Sequence, residues 1–249
     1  MKPFHFIISV VLIISSCNNA PTQQTNAKDS LQVQLLNEVP LVEKVLTKEE
    51  QARLTPDTVL QMLKDGNNRF ISDNLTVRLH SAQVRAAVKG QYPSAVILSC
   101  LDSRIPVEDV FDKGIGDLFV ARVAGNIVNE DILGSMEYGC KVSGAKLIVV
   151  MGHTECGAIK SAIENVKLDN ITALLSKIKP AVDSTESFSG EKNAKNKDYF
   201  DAVCKKNVEL TITSIRARSK ILKDMEQKGE IKIVGAVYDM ATGKATFME

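Results

Sequence analysis

Four short runs of almost unbroken apolar residues constrain this chain's fold more than any other feature. They are 94–100 (SAVILSC), 118–123 (LFVARV), 146–151 (KLIVVM) and 231–238 (IKIVGAVY). A strand with one wet face alternates polar and apolar side chains, whereas a strand apolar throughout has both faces covered. Segments with helical spacing lie between them, at 54–70, 81–89, 131–142, from about 156 to 166, and over 200–227. Strands alternating with helices predict an α/β fold, a mainly parallel β-sheet flanked by helices with right-handed crossovers. Thr47 and Glu50 form a capping-box pattern, and Pro56 suits the first turn of a helix opened by Thr55. Residues 239–244 read as a turn, 245–248 as a short returning strand, and 183–198 as an exposed loop. The chain is 44% hydrophobic and 24% charged, ordinary globular values. Its length of 249 residues is ample for a core without disulfide staples. A net charge of +1 offers no basic excess, so nucleic acid is not expected as a partner.

Two of the apolar runs end in residues able to bind metal. The first ends in Cys100-Leu101-Asp102-Ser103-Arg104, the second in Gly152-His153-Thr154-Glu155-Cys156. A parallel sheet gathers the carboxyl ends of its strands along one edge, so the two pieces are expected to meet there. In an extended segment Cys100 and Asp102 would point the same way. Two thiolates, an imidazole and one oxygen position suit a tetrahedral zinc ion, giving a candidate ligand set of Cys100, Asp102, His153 and Cys156. Each residue alone has a plainer reading: Cys100 as a small buried hydrophobe, His153 as a turn histidine, Asp102 with Arg104 as a structural ion pair. Together, each piece closing a buried strand, they favour a metal site. Cys140 and Cys204 read as buried packing residues on helices, and His80 as a solvated surface histidine. No C-x-x-C occurs, which argues against a thioredoxin-like redox protein.

The amino terminus carries a different signal. Lys2 precedes an apolar stretch from Phe4 to Ile14, the layout of a secretory signal peptide and short for a membrane span. The stretch ends Ser15-Ser16-Cys17, which resembles the lipobox of bacterial lipoproteins. That resemblance implies cleavage before Cys17 and its lipidation. An ordinary cleaved signal and an uncleaved anchor are the alternatives. The expected organisation is a signal peptide over 1–16, a lipidated terminus, polar tether and loose helical arm over 17–46, and a catalytic domain over 47–249. Asn18, rather than an acidic residue, follows the cysteine. By resemblance to sorting patterns this places the protein on the outer membrane facing the periplasm. An exported chain meets an oxidising compartment, where metal binding would keep Cys100 and Cys156 out of an easy disulfide.

The segments CLDSR (100–104), LFVARVAGNIV (118–128) and GHTECGA (152–158) resemble the β-class carbonic anhydrases. The likeness runs over roughly 47–245, and the helix opener LTPDTVLQMLKDGNNRF (54–70) fits it. The resemblance implies a zinc enzyme that reversibly hydrates carbon dioxide to bicarbonate and a proton by zinc-bound hydroxide, with one Zn2+ per chain. Cys100, His153 and Cys156 match the family's zinc ligands. Asp102 matches the carboxylate that either pairs with Arg104 or itself coordinates zinc. Arg104 is then the catalytic partner of Asp102. Gln91 and Gly157 match positions that would contact substrate or bicarbonate. The closed form of some members is tied to a bicarbonate site containing Trp. This chain has no Trp, and Ile97 stands at the matching place, so the open form with Asp102 turned to Arg104 is expected. A homodimer or homotetramer is implied as well. Rival readings keep the fold but change the substrate to carbon disulfide or carbonyl sulfide, or make the chain a non-catalytic zinc-binding envelope lipoprotein.

Overall fold

The structure is a computed structural model and describes residues 44–248. The signal peptide, Cys17, the tether and nearly all of the expected arm lie outside the described residues. Three helices come first: α1 (Lys48–Arg53), α2 (Pro56–Ile71) and α3 (His80–Ala87). Thr47 and Glu50 close the capping box as expected, and Thr55 caps α2 with Pro56 in its first turn. Gly66 is required where α2 crosses the segment after residue 110, because a Cβ there would lie 1.9 Å from the Phe111 carbonyl oxygen.

The sheet has five strands: β1 (Ala95–Ser99), β2 (Leu118–Arg122), β3 (Leu147–His153), β4 (Lys232–Tyr238) and β5 (Ala245–Met248). Their order is β2-β1-β3-β4-β5. The first four run parallel, and β5 returns antiparallel to β4 across the expected turn. Side-chain alternation explains the apolar runs. Val96, Leu98, Ile148 and Val150 pack on one face against Leu133, Met136, Val208, Ile212 and Ile215. Ala95, Ile97, Leu147, Val149 and Met151 pack on the other against Val59, Leu63, Val110 and Phe111. Each central strand is therefore buried on both sides, as its sequence required.

The remaining helices are α4 (Val107–Val110), α5 (Glu130–Glu137), α6 (Gly157–Ile163), α7 (Asp169–Leu175), α8 (Lys179–Asp183), α9 (Lys197–Arg218) and α10 (Lys220–Gln227). Two helical expectations are corrected. The stretch expected as one helix to Val142 narrows to α5 and then widens into a π turn over Tyr138–Val142. Gly139 in that turn sits so close to β1 that a Cβ would lie 2.7 Å from Val96 Cγ2. The long pattern over 200–227 breaks at Ser219, whose backbone is extended and whose Oγ accepts from Leu222 N at 3.2 Å. A serine cap concealed within helical periodicity thus splits it into α9 and α10. The exposed loop is shorter than expected, since α8 reaches Asp183 and α9 begins at Lys197, capped by Asn196. Among the described residues no helix is long and apolar enough to cross a membrane.

Candidate metal centre and catalytic dyad

β1 and β3 are neighbours in register, Ser99 opposite Met151, so both deliver their carboxyl ends to the same edge. Cys100 follows β1 directly, His153 ends β3, and Cys156 caps α6 after a tight turn through Glu155, whose φ is 56°. The donor atoms of Cys100, His153 and Cys156 all lie within 4.8 Å of one another, and all three residues are buried. The two sulfurs are 3.9 Å apart. His153 Nδ1 lies 2.8 Å from the Thr154 carbonyl oxygen. A carbonyl only accepts, so Nδ1 carries the proton and Nε2 keeps its lone pair free. Nε2 is buried and has no hydrogen-bond partner.

A buried imidazole lone pair with nothing to accept from is costly in a folded protein. Here it faces two thiols, and this donor set fits a divalent ion of zinc's preferences. The thiols carry the same message. Cys100 is held well below the ordinary thiol range by the hydrogen bond from Cys156, against the opposing effect of burial, with help from the backbone N–H groups of Gly125 and Asp102. Cys156 is pushed up by that same bond to Cys100 and by its burial. A dication at this point would displace the thiol protons.

Asp102 is not among the grouped donors; of its two expected roles, zinc ligand or partner of Arg104, the structure has the second. β1 ends at Ser99 and the chain turns, so the strand alternation that would align Asp102 with Cys100 no longer holds. Its carboxylate instead grips Arg104: Oδ1 accepts from Nε at 2.9 Å and from the backbone N at 3.0 Å, and Oδ2 accepts from Nη2 at 2.7 Å. These bonds from Arg104 hold the Asp102 carboxyl far below its usual range, against a smaller opposing effect of burial. Arg104 Nη2 also donates to the Glu155 carbonyl at 3.3 Å, tying the dyad to the loop that carries Cys156.

Three supporting residues were not legible as such. Arg122, at the end of β2, donates Nε to the Cys100 carbonyl at 3.0 Å and Nη1 to the Ile105 carbonyl at 3.0 Å, and Nη2 donates to the Asp102 carbonyl. One guanidinium thereby clamps the whole turn bearing Cys100, Asp102 and Arg104. Gly125 donates its N–H to Cys100 Sγ at 3.4 Å. Cys204 donates to the His153 carbonyl at 3.3 Å. Burial pushes the Cys204 and Cys140 thiols up to about 12, so both stay protonated packing residues, as expected. An arginine closing an apolar strand was the one visible sign of Arg122.

The structure does not bring Gln91 to the site within one chain. It is exposed and precedes the amino end of β1, opposite the end that carries Cys100. Gly157 is exposed at the first position of α6, and nothing lies within 4 Å of where its Cβ would be. His80 is exposed at the start of α3.

A mainly parallel α/β sheet whose carboxyl edge carries two cysteines, a histidine and an Asp–Arg dyad has a donor set that could hold a metal ion beside a charged pair. The profile of the carbonic anhydrase family matches residues 95–245. A carbonic anhydrase 2 of Mycobacterium tuberculosis is 32% identical over 201 residues, covering 78% of this chain and 93% of that protein. A carbonic anhydrase of Pseudomonas aeruginosa is 31% identical over 186 residues, covering 72% and 83%. Among solved structures, a β-carbonic anhydrase of Aspergillus fumigatus shares the fold with a TM-score of 0.60 at 20% identity, covering 78% of this chain and 90% of that one. One of the tetrameric β-carbonic anhydrases of Sordaria macrospora does so with a TM-score of 0.59 at 21% identity, covering 66% and 85%. The chain belongs to the carbonic anhydrase family, and its fold is that of the β-carbonic anhydrases.

Proposed function

We infer that this chain catalyses the reversible hydration of carbon dioxide to bicarbonate and a proton, with zinc held by Cys100, His153 and Cys156. The observation that carries the reading is the buried, unpartnered His153 Nε2 beside two cysteine sulfurs 3.9 Å apart. Zinc in such a site supplies the Lewis acidity that brings deprotonation of water toward neutral pH. Asp102 supplies the orientation. Ionised, it only accepts hydrogen bonds, and the Oδ2 bond to Arg104 leaves that oxygen a lone pair for a reacting water. Arg104 keeps the carboxylate ionised and fixes its direction. The Arg122 clamp keeps the dyad and Cys100 in one rigid turn.

The assembly we propose is a homo-oligomer, a dimer or tetramer, in which Gln91 and Gly157 take part in substrate binding. The setting we propose is the bacterial envelope: cleavage before Cys17, lipidation of that residue, and anchorage to the outer membrane facing the periplasm. The Lys2 to Cys17 pattern supports this. Labelling with a palmitate analogue should be lost in Cys17→Ser, and equal labelling of both would contradict it. For the activity, Arg104→Ala should keep its zinc while losing most of the CO2 hydration rate. A chain that binds zinc but shows no hydration in either form would instead be a binding protein, or would act on carbon disulfide or carbonyl sulfide.

A further inference from the structure

The buried face of α9 is apolar or weakly polar apart from one residue, Asn207, which is 3% exposed between Val203, Cys204, Val208 and Thr211. A buried amide is costly unless it is hydrogen-bonded. Asn207 Nδ2 donates to the Gly125 carbonyl at 2.8 Å, 82 residues away in sequence. Gly125 has φ 69°, where a side chain is strained, and a Cβ there would sit 2.5 Å from Ile178 Cδ1. From its other side Gly125 directs its N–H to Cys100 Sγ. One turn earlier on α9, Cys204 holds the His153 carbonyl. A single helix thus holds a carbonyl beside each ligand-bearing strand end.

We propose that Asn207 is a positioning residue for the metal centre, fixing Gly125 so that its N–H stays bonded to the Cys100 sulfur. The proposal rests on the reading that the site holds zinc. An N–H donor draws electron density from a thiolate, so Cys100 gives less charge to the ion, and a two-thiolate site keeps more Lewis acidity. Without Asn207 the Gly125 carbonyl is released, the N–H turns from the sulfur, and the thiolate becomes a stronger donor in a looser site.

The test uses the full-length protein loaded with cobalt(II) or zinc(II). It compares wild type with Asn207→Leu, which keeps bulk and loses the donor, and with Asn207→Ser, which keeps a short polar group. Ile215→Val, buried on the same helix but away from the site, controls for packing alone. The readouts are the thiolate-to-cobalt charge-transfer band and the rate of zinc release to excess chelator. Both Asn207 variants should shift the band to lower energy and release zinc about tenfold faster, with Ile215→Val unchanged in both. If Asn207→Leu does not fold, Asn207→Ser is read by the same two measurements. A band and release rate equal to wild type, with thermal stability lowered as in Ile215→Val, would overturn the proposal and leave Asn207 a packing residue. Wild type that takes up neither metal at the site would overturn the zinc reading itself, and the proposal with it.

Discussion

Two aspartate–arginine clusters in this molecule use the same chemistry for different ends. Asp112 is completely buried, paired with Arg69 Nε at 2.6 Å and Arg78 Nη2 at 2.8 Å. It also accepts from the Thr76 backbone N and from Thr76 Oγ1 at 2.9 Å. Both oxygens of that carboxylate are committed to joining α2 and the segment after it to the segment after α4. The Asp102 side chain is 15% exposed and its partner Arg104 is 55% exposed. Asp102 takes both side-chain bonds from one residue two positions on, and its oxygens keep lone pairs that no other side chain engages. A charge closed in on all sides is structural; a charge held from one side, with its other side open to a site, is available for chemistry.

The sharpest way to break this comparison is Asp102→Asn. Loss of the ionised acceptor should lower the CO2 hydration rate on the order of 10²- to 10⁴-fold, with the melting temperature close to wild type. A variant that melts early but turns over normally when folded would make Asp102 the structural member of the pair. Asp112→Asn should do the reverse. It leaves two half-buried guanidinium groups under-paired and should cost about 3 kcal/mol in denaturant unfolding, while turnover per folded molecule stays near wild type.

Acid sharpens the same contrast. Burial would raise the Asp112 carboxyl, but the hydrogen bonds from Arg69, Thr76 and Arg78 outweigh it and hold the group below its usual range. A carboxyl depressed in the folded state stabilises above its unfolded pKa, and that contribution is lost as pH falls through the folded value. The stability gap between wild type and Asp112→Asn should therefore be full above about pH 5 and close as the pH drops below about 4. A gap that widens in acid would contradict this assignment. The smallest effect belongs to Thr76→Val, which removes one hydroxyl bond to a buried charge. It should cost about 1.5 kcal/mol in the same unfolding experiment and leave zinc content unchanged.

What the sequence disclosed follows from the range of each interaction. The central strands were legible because burial on both faces writes an unbroken apolar run. Cys100, His153 and Cys156 were legible because few residue types bind zinc and each sits at the end of such a run. The pairing of Asp102 with Arg104 was legible from the resemblance but not from strand alternation, because the strand stops at Ser99, one residue before Cys100. Ser219 was hidden because a helix cap inside helical periodicity leaves the apolar spacing intact. Asn207 and Arg122 could not be read, since their bonds to Gly125 and to the Cys100 turn cross 82 and as many as 22 residues. Asn207 shows in the sequence only as an amide on an apolar helix face. The match of Gln91 to a substrate contact concerns a residue that one chain alone leaves far from the metal ligands.

The most direct test of the central claim is stopped-flow CO2 hydration by the zinc-loaded domain, repeated after chelation and again after zinc is restored. The account predicts hydration that disappears with the metal, returns with it, and is absent from His153→Ala. Full activity after complete removal of zinc, or none in protein holding one zinc per chain, would contradict it.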